Sequence, residues 1–281
     1  MRILVLGSEG QIGAPLCEHL ESKGHEVIRW DMKLSHTHNL TFEESVLELA
    51  HRAAAKPIDK VIFLAFNVGG SKYLQNADSK YQYIDDNVSI MRNTFGLLKN
   101  LQEVQGAEFL FASSQMANMH HTNYGFLKDL GERYTRSLGG WICRFWNVYG
   151  VENCEPDKRH VITDFIDMAE DGAITMRTVG NEQRQFLHTD DCNRAIESWV
   201  NGEWDDPTQY YDITSFEWST IEDVAFTVRR VVNDDAAINY GLDSDQLQGG
   251  FKNEPDPYIR KFWQPEISLE DGIRRVYEQS R

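Results

Sequence analysis

The chain has 281 residues, 41% of them hydrophobic and 26% charged, with 28 Lys and Arg against 44 Asp and Glu, a formal charge of −16. These are ordinary globular values for a chain long enough to bury a large core, and they argue against disordered, collagen-like and low-complexity scaffolds. The acidic balance argues against non-specific nucleic-acid binding, which needs a basic surface, and still leaves room for a local basic pocket around an anion.

The chain opens with Arg2-Ile3-Leu4-Val5-Leu6-Gly7, a short continuous apolar run. Such runs suit a strand buried on both faces of a parallel sheet. Gly7-Ser8-Glu9-Gly10-Gln11-Ile12-Gly13 follows, and Ile12, Leu16 and Leu20 then recur at helical spacing. Strand, glycine turn and helix in that order are the context of a dinucleotide-binding turn. One glycine permits the tight turn, one admits a pyrophosphate, and one lets helix and strand pack closely. The helix N-terminus then favours the phosphate. Gly7, Gly10, Gln11, Ile12 and Gly13 are therefore candidate cofactor residues. The spacing is G-x-x-G-x-x-G rather than G-x-G-x-x-G, so the turn needs support downstream.

Glu26 to Asp31 reads as a second strand that ends in an acid. Asp31 falls where a carboxylate holds the adenosine ribose hydroxyls, and its charge would repel a 2′-phosphate. NAD is thus favoured over NADP. Asp59 to Ala65 and Glu108 to Ser113 read as further buried strands, with a helical pattern from Tyr83 to Val104 between them. The alternation implies an α/β fold with a doubly wound parallel sheet. Ligands on such sheets bind beyond the carboxyl ends of the strands. Leu64 and Ala65, residues 66–71 and residues 113–115 fall there.

Tyr124 and Lys128 stand at i and i+4, on one face of a helix. A lysine cation beside a phenol is expected to pull the phenol pKa down from about 10 toward working pH. Such a phenol can exchange a proton with a sugar hydroxyl during hydride transfer. Ser114, at the preceding strand end, is placed to hydrogen-bond the same hydroxyl. His120 and His121 stand near Tyr124 and are further candidates for substrate contact.

With those residues assembled, the chain resembles the extended short-chain dehydrogenase/reductases, specifically the NAD-dependent nucleotide-sugar epimerases and dehydratases. The resemblance runs over nearly the whole chain. It includes the glycine turn, Asp31, Ser114, Tyr124 and Lys128. It continues through Arg144-Phe145-Trp146-Asn147-Val148-Tyr149-Gly150, His160-Val161-Ile162, and Gly180 to Asp191, and ends in Trp263 to Ile273. It implies an NAD cofactor, a nucleotide-sugar substrate held by Gly70, Asn147 and Arg184, and a homodimer formed by helices around 85–104 and 124–138. A planar guanidinium at Arg184 suits a diphosphate.

Asn67-Val68-Gly69-Gly70, with Asn87 and Asn93, looks most like the GDP-sugar branches of the family, the 3,5-epimerases and fucose synthases. Two departures matter. The 3,5-epimerases carry a proton-exchanging cysteine where this chain has Met116, and their second acid/base falls near Glu155. The 4,6-dehydratases carry Asp-Glu where this chain has Gln115 and Met116. The oxidation–reduction core is intact. Transient oxidation at sugar carbon 4, giving 4-epimerisation, therefore ranks ahead of dehydratase, 3,5-epimerase and 4-ketoreductase chemistry. A non-catalytic NAD-binding regulator is the alternative from another class.

At roughly 150 residues per domain, residues 1–150 are read as the cofactor domain and 151–281 as a small, interleaved substrate-binding portion in which elements of the sheet can recur. There, Tyr210 to Ile213 reads as a strand, Ser219 with Glu222 as a capping box, and residues 233–257 as a substrate-side loop region. No apolar run approaches the ~20 residues of a membrane span, and the N-terminal residues lack a signal-peptide pattern. Cys17, Cys143, Cys154 and Cys192 have neither zinc nor disulfide spacing. No metal, no membrane and no nucleic-acid partner are expected, and the expected location is cytoplasmic.

Overall fold

The computed structural model describes residues 1–244 and 253–281. Six parallel strands form the central sheet: β1 (Arg2–Leu6), β2 (Glu26–Trp30), β3 (Lys60–Phe63), β4 (Glu108–Ser114), β5 (Trp141–Phe145), and a last strand at Tyr210–Ile213. Across the sheet they run from Tyr210–Ile213 through β5, β4, β3 and β1 to β2. The chain therefore leaves β1 in one direction for β2 and returns on the other side with β3. The carboxyl ends of β1 and β3 flank this switch point, where an open sheet leaves a crevice for a ligand.

The apolar runs become strands because both faces are covered. In β1, Leu4 and Leu6 pack into one core with Val61, Phe63, Phe109 and Phe111, under the helices α2 (Glu43–Ala55), α4 (Tyr81–Gln105) and α5 (Asn123–Ser137). Ile3 and Val5 point the other way, into a core with Leu16, Cys17 and Leu20 of α1 (Gly13–Ser22) and Ile196 and Trp199 of α7 (Thr189–Val200). Alternation with period two across a doubly covered sheet requires apolar residues at every position. The last strand and α7 come from beyond residue 150, so the sheet layer draws on both stretches of the chain.

A third core lies beside the sheet's carboxyl edge, built by α6 (Val161–Glu170), α8 (Ile221–Val232) and α9 (Leu269–Gln279) around Ile162, Phe165, Val224, Val228 and Ile273. Short two-stranded ladders stitch it together. Asn147–Tyr149 pairs with Phe186–His188, and Ala173–Thr175 with Ala237–Asn239. That second ladder corrects the reading of 233–257 as loop, since three residues with little periodicity of their own are recruited as an edge. Residues 245–252 of that stretch lie outside the described residues. The capping box is also displaced by one residue. Thr220 accepts from Asp223 N–H at 2.9 Å and Asp223 accepts from Thr220 N–H at 2.9 Å, because α8 begins at Ile221, which makes Thr220 and not Ser219 the residue before its first turn.

Among the described residues no helix is long and apolar enough to cross a membrane. No cluster of His, Cys, Asp and Glu among them could hold a metal. The four cysteines are free thiols.

Candidate active site

The glycine turn fills the switch point. Gly7 has φ +86°, and a Cβ there would lie 2.8 Å from the Ala65 nitrogen; a Cβ on Gly13 would lie 2.1 Å from the Gly7 carbonyl oxygen. Both positions are glycine because turn, helix and β3 touch backbone to backbone. Leu64 and Ala65 accordingly abut the turn, with Leu64 N–H donating to Leu6 O at 2.9 Å. Gly10 differs. Its nearest neighbour would be Gly7 O at 3.4 Å, so packing within the protein does not demand its bare backbone. α1 starts at Ile12–Gly13 with no side-chain cap and no acidic residue in its first turn. Uncapped N–H groups beside open backbone fit a pyrophosphate.

Asp31 follows β2, next to this turn. Its Oδ2 accepts from Glu9 N–H at 3.0 Å and its Oδ1 from Lys33 N–H at 2.9 Å. The carboxylate thus braces the turn, and its remaining lone pairs suit ribose hydroxyls. Gln11 Nε2 donates to Val148 O at 3.4 Å, tying the turn to the strand that carries Asn147. The residues present fit NAD.

Beyond β4 opens a cavity of about 470 Å³, lined by Gly70, Ser114, Tyr124, Asn147 and Arg184. The structure therefore brings the sequence-derived catalytic and substrate residues to one place. Ser113 and Ser114 point to opposite sides, as neighbours on a strand do. Ser113 Oγ donates to buried Glu132 at 2.5 Å. Ser114 faces the cavity beside Tyr124 and accepts from Met116 N–H at 3.1 Å. Tyr124 reaches this place because α5 starts tight against the turn after β4. A Cβ on Gly125 would lie 2.4 Å from the carbonyls of Met116 and Met119.

Lys128 lies one turn deeper. Its Nζ donates to Ala112 O at 2.8 Å and sits 3.8 Å from the centre of the Phe66 ring and 5.9 Å from that of Tyr124. Burial pulls its pKa down to about 7, against the raising effects of Cys143 and Glu132. The expectation of a depressed phenol pKa is corrected here. Burial raises the Tyr124 pKa, and the Ser114 side chain only opposes that rise. The reason is that Lys128 directs its amine to a carbonyl and an aromatic face, and is itself only partly protonated near pH 7.

Asn147 is anchored by its Nδ2 donating to Gln185 O at 3.2 Å. Gly70 N–H donates to Lys158 O at 2.9 Å, and a Cβ on Gly70 would meet Arg159 O at 2.1 Å. That glycine therefore seats α3 (Ser71–Ala77) against residues 156–159. Met116 lines the cavity and Glu155 does not; Glu155 is exposed. Neither His120 nor His121 lines it, and His120 instead approaches Asp129 at 3.3 Å.

Sequence reasoning gave no role to several cavity residues. His160 caps α6, its backbone N–H and ring Nδ1 both held by Glu152. Burial pushes the Glu152 carboxyl up, but the contacts with His160 prevail and hold it below the usual carboxylate range. Arg159 and Arg177 add cationic lining, paired with Asp167 and with Gln75 and Asp243. Trp146 donates its indole N–H to Asp212 at 3.0 Å. The His160-Val161-Ile162 and Arg144-to-Gly150 stretches were the signals that pointed toward two of these.

A fold and site of this kind define a nicotinamide-dependent enzyme of the short-chain dehydrogenase type. Residues 3–201 match the family model of the NAD dependent epimerase/dehydratase family, and the chain belongs to that family. Its relatives include GDP-mannose 3,5-epimerase 1 of Oryza sativa subsp. indica, 22% identical over 99% of this chain and 81% of that one. UDP-glucuronic acid decarboxylase 1 of Danio rerio is 24% identical over 99% of this chain and 72% of that one. Among solved structures, UDP-glucuronic acid 4-epimerase from Bacillus cereus, in complex with UDP-glucuronic acid and NAD, superposes with a TM-score of 0.77 at 20% identity over 99% of this chain and 98% of that one. At that identity the likeness establishes the fold. The cofactor of the family is NAD.

Proposed function

We propose that the protein is a nucleotide-sugar 4-epimerase that works by transient oxidation at sugar carbon 4. The observation that carries this reading is the meeting of Ser114 and Tyr124 at the head of the cavity, with Lys128 behind them and no proton-exchanging group at Gln115 or Met116. Gly7, Gly10, Gln11, Ile12, Gly13, Asp31, Leu64 and Ala65 hold the cofactor. NAD, when bound, supplies the hydride acceptor. Tyr124 acts in its phenolate form, taking the proton of the carbon-4 hydroxyl while Ser114 orients that hydroxyl, and the protonated fraction of Lys128 favours that form against the burial that raises its pKa. Arg184 holds the diphosphate, and Gly70 and Asn147 border the sugar. Residues 1–150 serve the cofactor and 151–281 complete the substrate wall. A GDP-sugar and a homodimer through α4 and α5 complete the proposal.

His160 supports a second reading. A histidine held by a buried carboxylate on the cavity wall is an acid/base group, which suits proton exchange at a carbon next to a transient ketone. Incubation with NAD and a panel of GDP- and UDP-sugars in D₂O separates the two. The first reading requires a carbon-4 epimer without solvent deuterium. Deuterium on carbon 3 or 5 of the product favours the second. A panel without any turnover overturns both.

A further inference from the structure

The helix that carries Tyr124 is held by a carboxylate from another element. The first turn of α5 leaves the N–H groups of Asn123, Tyr124 and Gly125 without a partner inside the helix. Thr122, the N-cap, takes one of them, its hydroxyl accepting from Gly125 N–H at 3.0 Å. Asp78 takes the other two, with Asn123 N–H donating to Oδ2 at 2.9 Å and Tyr124 N–H to Oδ1 at 2.6 Å. The Asn123 side chain returns a bond, Nδ2 to Asp78 O at 2.9 Å. Asp78 is the residue that ends α3, and Ser71, Leu74 and Gln75 of that helix line the cavity.

We propose that Asp78 is a positioning residue. It fixes Tyr124 through the N-terminus of α5 and makes the position of the hydroxyl depend on the wall that substrate touches. This rests on the reading of Tyr124 as the proton-exchanging group. The geometry gives the reason. Tyr124 lies within the capped turn, whereas Lys128 is anchored one turn later to Ala112 O. Loss of Asp78 frees the turn that bears the phenol and leaves the amine in place, so the pair separates. Two charge-assisted bonds to one carboxylate also fix the direction in which α5 starts, which a single cap does not.

The test compares Asp78→Ala and Asp78→Asn with the unsubstituted protein. Three readouts are taken: steady-state kinetics on the nucleotide sugar turned over, NAD binding by calorimetry, and amide hydrogen exchange by mass spectrometry. For Asp78→Ala, kcat is expected to fall about 10- to 100-fold with KM within about twofold, the scale of a displaced catalytic group. NAD affinity stays unchanged. Exchange accelerates in a peptide spanning residues 119–127 and not in one spanning 128–137. Asp78→Asn, which keeps one acceptor oxygen, recovers part of kcat. Unchanged kcat in Asp78→Ala overturns the proposal. So does a uniform rise of exchange through α5 and the sheet, which would make Asp78 a general stabilising group. If the unsubstituted protein turns over no nucleotide sugar, the enzymatic reading falls separately, and the local exchange pattern alone decides whether Asp78 holds Tyr124.

Discussion

The two sides of the cavity are built on different principles. On the cofactor side, backbone packs against backbone. Gly7 and Gly13 leave no room for a side chain, and β1 is buried on both faces. On the substrate side, short ladders and paired charges carry the wall, as with Lys72 of α3 reaching Asp157 at 3.0 Å. The first side is specified by local sequence. The second is specified by contacts between residues far apart in the chain. Ser114, Tyr124 and Lys128 sit at the seam, which is where hydride chemistry needs both partners to meet.

Breaking the seam has the largest expected effect. Tyr124→Phe keeps the ring and removes the hydroxyl. Turnover is expected to fall by a factor on the order of 10²–10⁴, the usual scale of a proton-transfer group, while NAD binding by calorimetry stays within error. Substantial turnover in this variant would take Tyr124 out of the chemistry.

Arg184→Ala addresses the substrate wall alone. It is expected to raise KM for the nucleotide sugar about 10- to 100-fold, as for loss of a charged hydrogen bond, with NAD affinity untouched. Titration of both ligands against each variant checks it. A matching loss of NAD affinity would show that the two sides are not separable.

The smallest effect is on stability. Lys128 loses its proton near pH 7 in the folded, ligand-free protein, against 10.5 for an ordinary lysine. Between those values the unfolded chain binds more protons, so this group makes the protein more stable as pH rises through that window. Thermal unfolding of Lys128→Met from pH 6 to 10 is expected to show a flatter profile than the unsubstituted chain. Parallel profiles would mean that Lys128 stays charged in the fold.

The same contrast explains what was legible in the sequence. The strand–turn–helix at residues 2–22, Asp31, the strands at 59–65 and 108–113, and the Tyr124–Lys128 face all declare themselves through local period or spacing. The cap falls on Thr220 and not Ser219 because the helix begins at Ile221, a boundary that two adjacent hydroxyl residues do not mark in the sequence. Asp78 gave no signal, since its partners lie 45 and 46 residues away. The His160-Val161-Ile162 motif was visible in the sequence, but nothing there pairs His160 with Glu152, eight residues earlier across an irregular segment. The phenol pKa was misjudged because spacing shows that a lysine is near but not where its amine points, and here it points to Ala112 O.

Following a deuterium label on carbon 4 of the nucleotide sugar tests transient oxidation most directly. In H₂O, both epimers are expected to retain the label at carbon 4 and turnover to slow with the labelled substrate, because the same hydride leaves and returns. A product formed without a slowed rate, or inverted at a carbon other than 4 while carbon 4 keeps its configuration, would contradict it.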